Sequence, residues 1–477
     1  MVGPIGAVYN GAMSTPKRSP NILLFTTDQH RGDCIGLADG SAVETPNLDG
    51  IADAYFPNAY TEIPSTTGAR RVLLSGRASH ACGVIGYSST EWDESTSIAT
   101  VLAHHGYHCI NVGWRNLHPR RKLYGFHEVV PHDLREGADE YWEWLKAELG
   151  PYAHERAGGV DSNGWLAKPW ELEERYHATN WTVAETIRQL KRRDPTKPFF
   201  LWCSHLRPHS PYDPPQFFWD MYIDRKLPTI PVGDWARKYE EPSERVERTA
   251  WHGRLSDEVN QRQRAGYYGS ITHIDYQLGH LIEMLRSMQL WNDTLVIFVS
   301  DHGDMMSDHH LHRKCYAYEG SARIPFVLRY PQGTDLPCGT FGQVVGLQDV
   351  MPTVLDLLGI ETPEWVTGRS VLPAIRGESI REFFHGEHSP CYDLTLGMHY
   401  LTDGRQKYVW YPVTNTEQLF DLESDRQELR DLAPNSEYAG ELATWRNRLV
   451  EILAKRNDPL TDGEYLVPTD SWYGPEV

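Results

Sequence analysis

The chain has 477 residues, 40% of them hydrophobic and 23% charged, an ordinary balance for a soluble protein and long enough for one large domain plus a smaller one. A formal net charge of −19 argues against a nucleic-acid partner and against an anionic membrane surface, since both need a basic face. The seven cysteines are scattered, odd in number and without metal-ligand spacing, which speaks against a disulfide framework or zinc knuckle, and no apolar run approaches the ~20 residues of a membrane span.

In chain order, residues 1–19 are rich in Gly, Pro and Ser and read as a loose arm. They lack the charged start and apolar core of a signal peptide, so the expected location is the cytoplasm. NILLFTT (21–27) is a continuous apolar run of the kind that is buried on both faces of a parallel sheet, and it ends in Asp28-Gln29. TEIPSTTGARRVLLSGR (61–77) places two threonines at the start of a helical pattern. IATVLAHHGY carries Ile98, Val101 and Leu102 at helical spacing, and HCINVG (108–113) reads as a second strand. FFLWCSHL (199–206) is a third, running into the proline-rich RPHSPYDPP. ITHIDYQLGHLIEMLRSM keeps Ile271, Ile274, Leu278, Leu281, Ile282 and Leu285 on one helical face, and TLVIFVS (294–300) follows as a fourth strand ending in Asp301-His302. Strand and helix alternating in this way predict a doubly wound, mostly parallel α/β sheet over 20–374. Residues 375–477 differ in texture. A hairpin signal at Asp403-Gly404 and an amphipathic pattern with Leu442, Trp445, Leu449 and Ile452 predict a smaller C-terminal α+β subdomain. The polar, Trp- and Tyr-bearing stretches 125–180 and 215–262 read as insertions over the sheet edge, where selectivity would reside.

Ligands gather at the carboxyl ends of strands in such sheets, and two of the predicted strands end there in Asp28-Gln29 and Asp301-His302. Oxygen and imidazole donors of this kind suit a divalent cation. Thr66 or Thr67 is a natural N-cap of the helix that follows. An N-cap hydroxyl also stands where amide groups converge and the helix dipole favours an anion, and Arg70 lies one turn further along. Capping and catalysis are compatible at this position.

With these residues in view, the sequence resembles the sulfatase family of the alkaline phosphatase superfamily, and in particular its phosphonate monoester hydrolase and phosphodiesterase branch. The resemblance runs from about Pro20 to Pro434 through PNILLFTTDQHRGD, TPNLDGIADAY, ARRVLLSGR, RPHSPYDPP, YYGSITHIDYQLG, IFVSDHGDMMSDH, the Lys314 block ending in RIPFVLRYP, DVMPTVLDLLGI and LFDLESDRQELRDLA. It implies an alkaline-phosphatase-like fold and one divalent metal ion, with Asp28, Gln29, Asp301, His302 and the nucleophile Thr66 as ligands. Mn²⁺ is favoured by the imidazole, with Ca²⁺, Zn²⁺ or Mg²⁺ as alternatives. Arg70 then corresponds to the signature arginine, Lys314 to the lysine that bridges substrate and leaving group, and His209 to the histidine at the leaving oxygen. The implied partner is a small anionic ester, and a homo-oligomer fits the family.

Two departures qualify the resemblance. The family signature Cys-x-Pro-Ser-Arg, whose cysteine becomes formylglycine, reads here Thr66, Thr67, Gly68, Ala69, Arg70. A formylglycine hydrate has two hydroxyls and expels sulfate by collapsing to the aldehyde. Threonine has one hydroxyl, which favours transfer of phosphorus followed by hydrolysis of the adduct with water. The family block Gly-Lys-Trp-His becomes Gly113-Trp114-Arg115-Asn116, so a lysine and a histidine are absent. Arg115 and Asn116 either take over substrate binding or have become packing. The expected function is a metal-dependent hydrolase of phosphodiesters or phosphonate monoesters. The alternatives are a sulfuric ester hydrolase without formylglycine and a non-catalytic anion binder.

Overall fold

The computed structural model describes residues 19–471 except 88–89, 135–136, 138, 157 and 244–248. Residues 1–18 of the expected arm lie outside the described residues.

The four expected strands form at Asn21–Asp28, His108–Gly113, Phe199–Pro208 and Thr294–Ser300. They belong to an eight-stranded sheet in the spatial order Glu128–Pro131, His108–Gly113, Phe199–Pro208, Asn21–Asp28, Thr294–Ser300, Phe326–Arg329, Ala54–Tyr55, Gly339–Thr340. The first five strands run parallel, and Phe326–Arg329 is antiparallel to both its neighbours. Alternation along each strand explains why these runs are apolar throughout. Ile22 and Leu24, with Leu295, Ile297 and Val299, face one core, where the helices Thr66–Ser75, Ile98–His104 and Val350–Leu358 add Val72, Leu73, Leu102 and Val354. Leu23 and Phe25, with Val296 and Phe298, face the opposite core against Ile187 of helix Ala178–Arg192 and Ile274, Leu278 and Leu281 of helix Asp257–Ser287. Both faces are covered, as a doubly wound sheet requires.

The C-terminal part is a four-stranded antiparallel sheet in the order Phe384–His388, Met398–Thr402, Gln406–Tyr411, Thr416–Asp421. Its hairpin turns at Asp403-Gly404: Gly404 has φ +86°, and Asp403 Oδ1 accepts from the amides of Arg405 and Gln406. Helix Ala439–Lys455 packs Trp445, Leu449 and Leu453 on one face of this sheet against Leu401, Tyr408, Trp410 and Leu419. The other face, through Met398, Tyr400, Val409 and Phe420, shares a core with Met305, Tyr316 and Tyr318. That shared core holds the small sheet against the loops that follow Asp301. Among the described residues no helix is long and apolar enough to cross a membrane. The 215–262 stretch, with the start of the long helix, Ser307 and His310, lines a cavity of about 570 Å³, and none of the expected site residues line it.

Candidate active site

Strands Asn21–Asp28 and Thr294–Ser300 pair in parallel with Thr27 opposite Ser300, so Asp28 and Asp301 emerge side by side at the carboxyl edge. Gln29 is held at φ +68°, a left-handed conformation that costs a side-chain-bearing residue ~1–3 kcal/mol. The surroundings enforce it: Gln29 N–H donates to Asp301 Oδ1 at 3.0 Å, and the Tyr267 hydroxyl donates to the Gln29 carbonyl at 2.6 Å.

Helix Thr66–Ser75 points its first residue into this edge. The N-cap is Ser65, not the threonine that the sequence suggests, and its hydroxyl lies 2.8 Å from His388 Nε2 and caps no helix amide. Thr66 is therefore released from capping. Its Oγ1 sits 3.1 Å from His302 Nε2, 3.5 Å from Asp28 Oδ1 and 3.4 Å from Lys314 Nζ. Thr67 faces elsewhere, with its Oγ1 accepting from Asn116 Nδ2 at 3.2 Å.

Arg70, one turn along, binds both carboxylates: Nε donates to Asp301 Oδ2 at 3.0 Å and Nη2 to Asp28 Oδ2 at 3.4 Å. Its remaining donors reach Ser204 Oγ at 2.8 Å and the Trp114 carbonyl at 2.6 Å. The indole N–H of Trp114 donates to Asp28 Oδ2. The residue that replaces the family lysine thus touches a carboxylate of the site as a neutral donor. This contact had no signal in the sequence beyond the broken block. Ser204 and Asp304 were not anticipated either.

The residues fit a divalent cation. Asp28, Asp301 and His302 bring one donor atom each within 4.8 Å of one another. Oδ2 of Asp28 and Oδ2 of Asp301 are taken by Arg70, and Asp28 Oδ1 faces Thr66 and His302. Gln29 donates its Nε2 to Asp304 Oδ2 at 2.5 Å, leaving its buried Oε1 with no hydrogen-bond partner among the described residues. Such a buried acceptor is what a cation would satisfy. His302 binds the Gly303 carbonyl through Nδ1 at 2.9 Å, which turns Nε2 toward Thr66. Burial and the Lys314 charge lower its pKa to about 3, so the ring is neutral, as a metal ligand must be.

His209 anchors its own N–H on the Asp28 carbonyl at 3.1 Å and its ring Nδ1 on the Ser210 carbonyl at 2.8 Å. Arg207 and Asp213 clamp the loop with bonds of 2.8 and 3.2 Å. Burial and Lys314 also lower the His209 pKa to about 3. The neutral ring keeps its proton on Nδ1, toward the Ser210 carbonyl, and offers Nε2 as an acceptor. Of the two alternatives for Arg115, the geometry matches packing: its guanidinium turns into the 120–122 loop and donates to the carbonyls of Arg120 and Lys122. Asn116 donates its backbone N–H to Asp133 Oδ1 at 3.4 Å and its Nδ2 to the Thr67 hydroxyl at 3.2 Å.

The sulfatase family model matches residues 20–360, and a model of the N-sulphoglucosamine sulphohydrolase C-terminal region matches residues 307–455. An arylsulfatase of Clostridium perfringens is 40% identical over 94% of this chain and 97% of its own length. A choline-sulfatase of Rhizobium meliloti is 30% identical over 89% of this chain and 84% of its own. Among solved structures, the phosphonate monoester hydrolase of Agrobacterium radiobacter superposes with a TM-score of 0.77 at 23% identity, over 91% of this chain and 96% of that one, a likeness of fold. Matched over most of its length and built around a strand-end acid cluster, this chain belongs to the sulfatase family of the alkaline phosphatase superfamily and is a hydrolase of that family.

Proposed function

We propose that the chain hydrolyses phosphodiesters or phosphonate monoesters through a covalent adduct on Thr66. The observation that carries this reading is the single Thr66 hydroxyl, freed from capping and placed between the acid cluster and Lys314. A divalent cation held by Asp28, Gln29, Asp301 and His302, with Mn²⁺ favoured, would supply Lewis-acid polarisation of the ester and acidify the hydroxyl. Lys314 donates toward Thr66 Oγ1 and compensates the charge that develops on the attacking and ester oxygens. The hydroxyl proton has an anionic acceptor in Asp28 Oδ1. Arg70 holds both aspartates in place. The departing oxygen takes its proton from Lys314. Water then enters along the path the leaving group vacated and attacks phosphorus as His209 Nε2, an unprotonated acceptor, takes its proton; the Thr66 Oγ1–P bond breaks, the proton held by Asp28 Oδ1 returns to Thr66 Oγ1, and the His209 proton is released to solvent while Lys314 takes one up. The partner in this reading is a small anionic ester, with no nucleic acid or membrane, in a cytoplasmic homo-oligomer.

One observation favours a second reading, a sulfuric ester hydrolase: the 40% identity to an arylsulfatase along nearly the whole chain. Thr66 would then have to attack sulfur directly, without the aldehyde route for release. Turnover of bis-p-nitrophenyl phosphate, p-nitrophenyl phenylphosphonate and p-nitrophenyl sulfate by the Mn²⁺-loaded protein separates the two. Preference for the phosphorus esters, with a phosphorylated Thr66 peptide after acid quench, supports the first reading. Preference for the sulfate ester replaces it with the second.

A further inference from the structure

Away from the active site, the small C-terminal sheet carries a second set of metal-type donors. Strands Phe384–His388 and Met398–Thr402 pair antiparallel with Glu387 opposite His399, so His385, Glu387 and His399 share one face of the sheet. His385 Nε2 lies 3.2 Å from His399 Nδ1, and His399 Nδ1 lies 3.4 Å from Glu387 Oε2. One donor atom from each of the three falls within 4.8 Å of the other two. Glu387 and His399 are buried, whereas His385 is half-buried and gives the cluster a side toward solvent.

We propose that His385, Glu387 and His399 bind a Zn²⁺ ion that braces the C-terminal sheet against the segments flanking helix Thr66–Ser75. The cluster is electron-rich. A neutral imidazole has one N–H and one lone-pair nitrogen, so one proton at most lies between the two facing nitrogens, and the carboxylate oxygen beside them brings no proton of its own. The spacing fits an ion as well. Tetrahedral donors bonded at about 2.0–2.1 Å stand about 3.3–3.4 Å apart, and the two short edges of the cluster are 3.2 and 3.4 Å. As the ion enters, the ring that holds the shared proton moves it to its other nitrogen, and both rings ligate in the neutral form. Two imidazoles and one carboxylate favour Zn²⁺, whereas the oxygen-rich set around Asp28 suits harder ions better.

Glu387 keeps a lone pair for the ion. Arg456 Nη1, at 2.9 Å, and Ser79 Oγ donate to its Oε1, and Arg456 Nη2 donates to Oε2 at 2.6 Å. A carboxylate offers four lone-pair positions, so one on Oε2 is left. Hydrogen bonds of this kind to a ligating carboxylate are what orient it. Asp458 Oδ2 meets Arg456 Nε at 2.9 Å and Nη2 at 2.7 Å, which offsets the guanidinium charge beside an incoming cation. The same strand grips both ends of the Thr66 helix. Glu387 N–H donates to the Glu62 carbonyl at 2.9 Å, His388 Nε2 lies 2.8 Å from Ser65 Oγ, and Ser79 follows the helix. An ion at Glu387 would tighten that seam without touching the reacting groups, so this site does not depend on the chemistry proposed for Thr66.

The test strips the full-length protein with chelator, reloads it with Zn²⁺ and compares it with His385→Ala and His385→Gln. Wild type should hold one more Zn²⁺ ion per chain than either variant, and Zn²⁺ should raise the unfolding temperature of wild type more than that of the variants. Affinity at this site should fall in both variants by more than about 100-fold, beyond the loss typical of an outer partner. In crystals of the Zn²⁺-loaded wild type, anomalous scattering at the zinc edge should place an ion about 2.0–2.2 Å from His385 Nε2, His399 Nδ1 and Glu387 Oε2. This measurement decides the matter even where a variant fails to fold. Equal Zn²⁺ uptake by wild type and folded variants overturns the site, as does anomalous density confined to Asp28 and Asp301.

Discussion

Trp114→Phe isolates one hydrogen bond of the candidate metal site. The indole N–H donates to Asp28 Oδ2, and both groups are buried. Phenylalanine replaces the indole that lies 6.0 Å from the Arg70 guanidinium carbon with a smaller aromatic ring, and it leaves in place the backbone carbonyl that Arg70 grips at 2.6 Å. What disappears is one donor to a carboxylate, together with part of the buried indole's volume. Asp28 Oδ2 then keeps only the long 3.4 Å bond from Arg70. A hydrogen bond to a charged group contributes roughly 1.5–3 kcal/mol. Outer partners of metal ligands typically change affinity by about 10–100-fold. At ~1.4 kcal/mol per decade the two ranges agree. The assay is calorimetric titration of Mn²⁺ into chelator-stripped protein, with thermal unfolding of the stripped protein as a check on the fold. Trp114→Phe should bind Mn²⁺ about 10–100-fold more weakly, and the stripped variant should still unfold cooperatively but at a lower temperature than wild type, because the bond is lost from the folded apoprotein as well. A Mn²⁺ affinity within about twofold of wild type, against the expected factor, would show that this bond does not orient Asp28.

Other expectations follow from the same geometry. Because Ser65 and not Thr66 is the N-cap, Thr66→Ala should cost less than the ~1 kcal/mol of a lost cap in denaturant unfolding, yet abolish turnover, whereas Thr67→Ala should keep it. Activity that survives Thr66→Ala and dies in Thr67→Ala would move the nucleophile by one residue. Rebuilding the family signature as Thr66→Cys, Gly68→Pro and Ala69→Ser meets an obstacle, since a Cβ at residue 68 comes within 2.6 Å of Ile63 Cδ1. With Ile63→Ala added and the maturation enzyme co-expressed, mass spectrometry should detect the aldehyde, and the ratio of sulfate-ester to phosphodiester turnover should rise. An unchanged ratio in aldehyde-bearing protein would refute the argument from the single hydroxyl. Finally, His132 Nε2 and Glu155 Oε2 form a buried pair at 2.9 Å. Burial opposes both charges, but the pairing raises the His132 pKa above 6.5 and lowers that of Glu155 from 4.5 to about 2, the latter worth roughly 3 kcal/mol. The Glu155 contribution is complete above pH 4.5 and lost as pH falls toward 2. That of His132 is complete below pH 6.5 and lost as pH rises through its folded value. The coupling energy of a His132→Gln, Glu155→Gln double-mutant cycle should therefore peak between pH 4.5 and 6.5, and a flat profile would show that the pair is not ionised.

Periodicity in the sequence determined the scaffold. Apolar runs such as NILLFTT and TLVIFVS can only be strands covered on both faces, and acids just beyond their ends must lie at the carboxyl edge of a parallel sheet. The Asp403-Gly404 turn and the helix through Trp445 and Leu449 were legible for the same reason, because backbone conformation and burial period are written within a few residues. Tertiary structure decided which hydroxyl faces the acids, since Ser65 can act as the N-cap without capping only because His388, from the far C-terminal sheet, holds its side chain. It decided that Trp114 would serve Asp28. Each of these depends on where one side chain points once segments distant in the chain are packed together. A local pattern records which face of an element is buried, not which partner will meet it there.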